Sequence, residues 1–198
     1  MIAGTVHNPA DQALLHFLDA QRASVIAIID GLSDDDLRKA VVPSGWTPLG
    51  LVEHLAGAEY YWFQIIAAGA GGAPPEPAGV ADGTTGEHQP ADVGEVAEEY
   101  DPAQAGAFTT TESRESVLAL YREQNEQANT LLAVTPLSTP PRHPIPAGQH
   151  DSVDPRLTAE ILDLRGIVLH LIEETARHAG HLDVARELLD GKTGLGPR

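Results

Sequence analysis

The sequence contains no cysteine, which excludes disulfides, cysteine-ligated zinc sites and a cysteine nucleophile. Any metal site must therefore be built from histidine, aspartate or glutamate. Aromatic residues make up only 5% of the 198 residues, so aliphatic side chains and alanine must form most of the core, which favours helices. The length suits one domain, and we expect residues 1–198 to form it.

Basic residues are scarce as well, with 12 Lys and Arg against 29 Asp and Glu, for a net charge of −17. Nucleic acids and anionic membrane surfaces need clustered Lys and Arg, so we expect neither as a partner. No apolar run is long enough to span a bilayer, and the N-terminus lacks the pattern of a secretory signal. These absences favour a soluble, cytoplasmic protein and leave the substrate, which we expect to be a small molecule, unidentified.

Helical periodicity is the main pattern that the sequence does contain. It occupies four segments, at about residues 9–31, 48–66, 113–133 and 158–190. Thr47 followed by Pro48 is typical of a helix start, and Gly191 is placed where a helix ends. Ser33, followed by three aspartates, predicts one further short helical turn.

The connections between these segments differ in length. Residues 70–112 are rich in glycine, proline, alanine and acidic residues, which predicts a long connecting loop between helices 2 and 3. No segment shows a convincing strand pattern. Four long amphipathic helices joined in this way predict an all-α fold, a four-helix bundle.

The fourth helix carries the densest group of polar residues, in the stretch H-L-I-E-E-T-A-R-H-A-G-H-L-D. Its inward seam is aliphatic except at Thr175 and His178. A buried imidazole needs a polar partner, because leaving it unpaired costs about 1–3 kcal/mol. Glu174 lies one turn before His178 and His181 about one turn after it, on one face. His170 lies about 12 Å away along the helix axis, too far to share a cation.

A second histidine, His54, occupies an apolar seam on the second predicted helix. It shares a face with Leu51, Ala58, Tyr61 and Ile65.

One histidine in each of two apolar seams predicts a divalent-metal site held by His54, Glu174 and His178. Three protein ligands leave open positions, as in catalytic sites, and they suit zinc first, with nickel or ferrous iron as alternatives. The competing interpretation is a satisfied core histidine at 54 and a plain surface ion pair between Glu174 and Arg177.

The chain resembles the DinB-like four-helix superfamily in two stretches, L-S-D-D-D-L-R-K-A-V-V-P-S-G-W-T-P-L-G-L-V-E-H-L-A-G-A-E-Y-Y-W-F and L-H-L-I-E-E-T-A-R-H-A-G-H-L-D-V-A-R-E-L-L-D-G. More narrowly it is similar to the actinobacterial mini-circle-type subfamily, a relative of the mycothiol-dependent maleylpyruvate isomerases. The resemblance implies a divalent metal near one end of the bundle, with ligands at His54, Glu174 and His178. Glutamate at position 174 matches the isomerase branch, and His181 falls beside the metal.

Three functions remain open at this stage. The first is a metal-dependent thiol S-transferase, in which the metal activates a low-molecular-weight thiol and His181 or Tyr61 orients the substrate. The second is a metal-dependent hydrolase with His181 or Glu59 as general base. The third is a non-catalytic protein that binds a metal or a small molecule. We also expect a homodimer, because relatives with this bundle tend to pair.

Overall fold

A computed structural model describes residues 7–70, 108–143 and 161–193. Its elements in chain order are α1 (Pro9–Ile29), α2 (Asp34–Leu37), α3 (Pro48–Glu59), a π-helix (Tyr60–Ala67), α4 (Arg114–Val134) and α5 (Leu164–Asp190). Within these three ranges the chain forms no strand, so the predicted all-α fold is confirmed. Most of the predicted loop at 70–112 lies outside the described residues.

Local sequence sets the ends of the long helices. The Thr47 side chain accepts a hydrogen bond from the Gly50 amide, and Pro48 occupies the first helical position. Gly191 ends α5 in the left-handed region, with φ of 76°. Thr47 and Pro48 thus mark the start of α3 and Gly191 the end of α5, as predicted. Helix α1 ends at Ile29, two residues before Gly31, which also has a positive φ of 75°.

The start of α5 differs from the prediction. The expected start was about residue 158, but the helix begins at Leu164, because the Asp163 carboxylate caps it by accepting from the Gly166 amide. Ile161 precedes the cap and packs against Gly166, where an added Cβ would lie 2.9 Å from the Ile161 Cα. The apolar pattern that suggested an earlier start therefore belongs partly to a non-helical residue that packs on the helix.

Helices α1 and α5 lie side by side and run in the same direction. Near their N-termini, Arg165 donates to Asp11 over 2.9 Å. Near their C-termini, Arg186 donates to the carbonyl oxygen of Ile28 over 2.6 Å. Helix α3 packs mainly on α4, and its π-helical extension contacts α4 and α5. The long helices therefore pack together as one helical bundle. None of the helices in the described ranges has the length and apolar character that a bilayer crossing requires.

The seam predicted for α5 faces the core. Its buried members are Leu164, Val168, Leu171, Thr175, His178, Leu182 and Ala185. Around them lie two apolar clusters, one centred on residues such as Val25, Leu55 and Tyr121, the other on Leu18 and Phe63. His178 is thus a histidine in an otherwise apolar seam.

The π-helix was not anticipated from the sequence. In this segment the Ala68 amide donates to the Phe63 carbonyl, and the Ile66 carbonyl accepts from the amides of Arg142 and His143. A carbonyl that bonds to another segment no longer has to bond within its own helix. π-helical turns are rare and are frequent at functional sites. The α-helical period that placed Tyr61 on the same face as His54 therefore stops at Glu59.

Candidate metal centre

Side chains from α3 and α5 converge at the edge of the bundle. The Nε2 atoms of His54 and His178 lie 3.3 and 2.9 Å from the same carboxylate oxygen, Oε1 of Glu174. One nitrogen or oxygen from each residue lies within 4.8 Å of the other two. The two imidazole rings are nearly perpendicular, with centroids 5.0 Å apart. Helices that are distant in sequence thus bring three donor groups to one point.

The spacing of these donors fits a divalent cation. Zinc binds histidine nitrogen and carboxylate oxygen at about 2.0–2.2 Å, so tetrahedral donors lie about 3.3–3.5 Å apart. The measured separations of 2.9 and 3.3 Å are close to that value. Three protein donors of this type leave a fourth position for water or a substrate. The group of His54, Glu174 and His178 is therefore suited to a cation with an open coordination site.

The cluster is only partly shielded from solvent. The side chains of His178 and Glu174 are 10% and 15% exposed, and that of His54 is 29% exposed. Sequence periodicity placed His54 among inward apolar groups, but the side chain lies at the rim of the bundle. A small molecule can therefore approach the cluster from the His54 side.

Glu174 is held as an anion. Partial burial alone would raise the pKa of this carboxyl, but hydrogen bonds and charge interactions with His178 and His54 lower it far below its ordinary value. Its second oxygen accepts from Arg177 over 3.2 Å, and Arg177 also pairs with Glu173. Sequence reasoning treated Arg177 as a surface group, yet it fixes the carboxylate so that Oε1 faces the imidazoles.

His181 lies directly behind His178. Their Nδ1 atoms are 3.4 Å apart, and the pKa of His181 is lowered by partial burial and by neighbouring His178 and Arg177. With a cation on Nε2 of His178, Nδ1–H of His178 would donate to Nδ1 of a neutral His181. The contact is therefore suited to orienting His178 as a metal ligand.

Phe108 is a neighbour of the cluster that no pattern in the sequence indicates. Its ring stacks on His54 with centroids 4.1 Å apart and lies edge-on to His178 at 5.9 Å. Trp46 stands near His181, with ring centroids 6.2 Å apart. Phe108 comes from a segment without periodicity, 54 positions from His54, so only the tertiary structure reveals the contact.

The other residues singled out in the sequence lie elsewhere. Tyr61 lies in the π-helix, about two helical turns beyond His54. Its ring is edge-on to Trp62, and burial raises the pKa of its phenol, so it is protonated at neutral pH. The ring of His170 also lies against Trp62, with centroids 4.6 Å apart. An orienting role for Tyr61 stays a prediction.

Glu59, considered as the general base of a hydrolase, is engaged in a buried ion pair. Its side chain is 2% exposed, and its two carboxylate oxygens accept from Arg22 over 2.7 and 2.6 Å. Burial and pairing on both oxygens favour a structural role for this carboxylate. Of the two bases considered, His181 alone lies beside the cluster.

Comparison with known protein families agrees with this geometry. A family model described as Mycothiol-S-transferase matches residues 13–191, a span that includes all three residues of the cluster. The match confirms the resemblance to mycothiol-dependent enzymes. No curated protein and no solved structure matches the chain.

Proposed function

The chain belongs to the mycothiol S-transferase family, and on that premise we propose that it is a divalent-metal-dependent enzyme that joins the sulfur of mycothiol to an electrophile. The reaction breaks the S–H bond of the thiol and the bond between the electrophilic atom and its leaving group, and it forms a bond from sulfur to that atom. The leaving group departs with the bonding electrons, and the proton passes to solvent or to the leaving group. The observation that carries this proposal is the convergence of the His54, Glu174 and His178 donors.

The donor set explains how a protein without cysteine could carry out thiol chemistry. A divalent cation supplies a positive charge that lowers the pKa of a bound thiol, so that the nucleophile exists near neutral pH. We propose zinc as that cation, with nickel or ferrous iron as alternatives that suit the same donors. His54, Glu174 and His178 would hold it, and the absence of cysteine leaves the substrate as the only source of sulfur nucleophile.

Neighbouring residues support this arrangement without being ligands. Arg177 orients the Glu174 carboxylate, and Nδ1 of His181 lies 3.4 Å from Nδ1 of His178, where it would accept from a metal-bound imidazole. We assign His181 the role of orienting that ligand. For Tyr61 we keep the role of orienting substrate, since its phenol is protonated and half-buried two turns from His54.

The test is a thiol-transfer assay with mycothiol and monobromobimane as the electrophile, on zinc-loaded and metal-free protein. We expect the zinc-loaded wild type to consume thiol and form the thioether well above the uncatalysed rate. Metal-free protein and the Glu174→Gln variant should stay at background. Zinc-loaded protein that never consumes the thiol would contradict the proposal, and ester hydrolysis by the same protein without thiol consumption would favour the hydrolase.

We also propose that residues 1–198 form one domain that pairs as a homodimer. Apolar side chains are exposed on the outer sides of α1 and α5, namely Phe17, Leu169, Val184 and Leu188. The outer side of α5 also carries the oppositely charged pair Glu173 and Arg177, which a second copy related by a twofold axis could meet with opposite signs. In sedimentation velocity, Val184→Glu should dissociate the dimer, whereas Val134→Glu, on α4 and exposed to 72% against 54% for Val184, should not. A wild type that sediments as a monomer would contradict this.

A further inference from the structure

We propose that Phe108 is a positioning residue for the metal centre, and that Gly50 is the residue whose lack of a side chain allows Phe108 to reach it. The inference rests on the proposed metal site. In this arrangement the Phe108 ring holds the imidazole of His54 in the orientation that turns Nε2 toward Glu174 and His178.

The contact between the two rings restricts an otherwise loosely held side chain. His54 is the most exposed of the three donors, and its polar contact within the cluster is a 3.3 Å approach to Glu174. The Phe108 ring covers one face of this imidazole at 4.1 Å, with 27° between the planes. Because the stacked ring blocks rotation of the imidazole out of that plane, it reduces the conformational entropy that His54 would lose on binding a cation.

The backbone of Phe108 is fastened to the start of α3. Its carbonyl oxygen accepts from the Thr47 amide over 2.9 Å. A Cβ added at Gly50 would lie 2.1 Å from that oxygen and 2.4 Å from its carbonyl carbon, which no side chain can tolerate. The close approach therefore requires glycine at position 50. Any side chain there must push the backbone of Phe108, and its ring with it, away from the cluster.

The rest of the 108–113 segment is anchored independently of Phe108. Arg38 donates to the carbonyl of Thr110 over 3.0 Å and to that of Glu112. Arg114, which follows the segment, pairs with Asp34 over 2.9 Å. The segment is thus held against α2 and α3 by several bonds, so it can keep its place when the Phe108 side chain alone is changed.

This arrangement also determines from which side a substrate arrives. The Phe108 ring stacks on His54 and lies perpendicular to the His178 ring with centroids 5.9 Å apart, so an apolar group borders both imidazoles on one side. A thiol must therefore reach the cation from the side that Phe108 leaves open.

The test compares two glycine substitutions on the same helix. Gly50→Ala places a methyl group against the Phe108 carbonyl, whereas at Gly57 no described atom lies within 4 Å of an added Cβ. Zinc affinity is measured by competition with a chromogenic chelator, and ligand geometry by the visible spectrum of the cobalt-substituted protein. We expect Gly50→Ala to weaken zinc binding about 10- to 100-fold, the range typical of groups that orient metal ligands. It should also change the cobalt spectrum, and Gly57→Ala should alter neither measurement.

Substitutions of Phe108 itself separate positioning from general stability. Phe108→Ala should reproduce the loss of zinc affinity and the altered cobalt spectrum, and Phe108→Tyr, which keeps the ring, should restore both. Because these variants leave the backbone bonds of the 108–113 segment in place, they remain informative even if Gly50→Ala does not fold. Phe108→Ala protein that binds zinc as wild type does, with an unchanged cobalt spectrum, would overturn the inference alone. Wild-type protein that binds no zinc would overturn the proposed function as well.

Discussion

The bundle contains two glutamates that are both held between helices, and their surroundings differ in one respect. Glu59 is buried, and the chain itself supplies its counter-charge, because Arg22 from α1 bonds to both of its oxygens. Glu174 lies at the rim, and there His54 and His178 approach one of its oxygens. The first group is complete within the protein. The second is paired with the half-exposed Arg177 through one oxygen only, and its other oxygen, with the two imidazole nitrogens, presents three donors to a single point that suits a cation.

The comparison teaches that a buried carboxylate is not by itself a sign of a functional site. Around Glu59, both carboxylate oxygens are engaged by a buried guanidinium that also reaches Asn129 over 2.8 Å. Such a buried pair organises the interior. Around Glu174, Arg177 engages one oxygen, and the two imidazoles converge on the other. We therefore expect changes at the first group to affect folding and changes at the second to affect metal binding.

The largest effect should come from breaking the buried ion pair between Arg22 and Glu59. Glu59→Gln leaves the Arg22 guanidinium buried without its counter-charge, and we expect the free energy of unfolding to fall by about 3–5 kcal/mol. Urea denaturation monitored by circular dichroism measures this. The matched control is Asp19→Asn, since Asp19 also pairs with Arg22 but is 57% exposed, and its loss should cost at most about 1 kcal/mol. Equal losses in the two variants would show that the buried pair has no special role.

A change at Glu174, in the proposed metal site, should have the opposite pattern of effects: a large loss of zinc affinity and a small change in stability. Glu174→Gln removes the anionic donor, and we expect zinc affinity to fall by at least about 100-fold, beyond the effect of groups that only orient ligands. The unfolding free energy of the metal-free protein should change by less than about 1 kcal/mol, because two partners of Glu174, His54 and Arg177, are partly exposed and glutamine keeps hydrogen-bonding atoms at the site. Chelator competition and urea denaturation on the same preparations give both numbers. If metal-free Glu174→Gln lost as much stability as Glu59→Gln, the two glutamates would both have a mainly structural role, and the comparison would fail.

A smaller effect on zinc affinity is expected at His181, beside the proposed metal site. His181→Ala removes the acceptor beside Nδ1 of His178, and zinc affinity should fall about 10-fold. His170→Ala is the control on the same helix, because that ring packs on Trp62 away from the cluster. It should leave zinc affinity unchanged. An equal loss in both variants would indicate a general disturbance of α5.

The smallest effect concerns acid stability of the metal-free protein. The folded pKa of Glu174 is lowered from its ordinary value of 4.5, so its contribution to stability is fully present above that pH and is lost as the pH falls through the folded value. Glu174→Gln should therefore flatten the loss of stability below about pH 4.5, by no more than about 1 kcal/mol at this partly exposed site. Thermal unfolding between pH 3 and 6 measures the slope. If the curves of stability against pH ran parallel for variant and wild type, the pKa of Glu174 would not be lowered in the folded protein.

Local patterns in the sequence were sufficient to predict the helices and the site residues that α3 and α5 contribute. The alternation of three and four residues along α5 identified His178 as a polar residue in an apolar seam, and Thr47 with Pro48 marked the start of α3. Arg22 offered a similar signal that was not used. It falls in the apolar stripe of α1 with Leu18 and Val25, so it had to be buried and had to find an anion.

Other features depend on contacts between distant segments and could not be predicted. The stacking of Phe108 on His54 needs the bond from the Thr47 amide to the Phe108 carbonyl, across 61 residues and a region without periodicity. At the end of the π-helix, the Ile66 carbonyl accepts from the amides of residues 142 and 143, which lie far away in the sequence. Neither contact leaves a local pattern in the sequence, because each joins backbone groups whose bonding is independent of residue type.

The most direct test of the account is the zinc content of the purified protein beside that of its His54→Ala variant, by elemental analysis after removal of loosely bound metal. If α3 and α5 jointly hold the cation, the wild type should retain about one zinc per chain, and the variant should retain about a tenth of that or less, while both keep the same circular dichroism spectrum. Equal zinc content in the two proteins, or none in either, would contradict the claim that this cluster is a metal site.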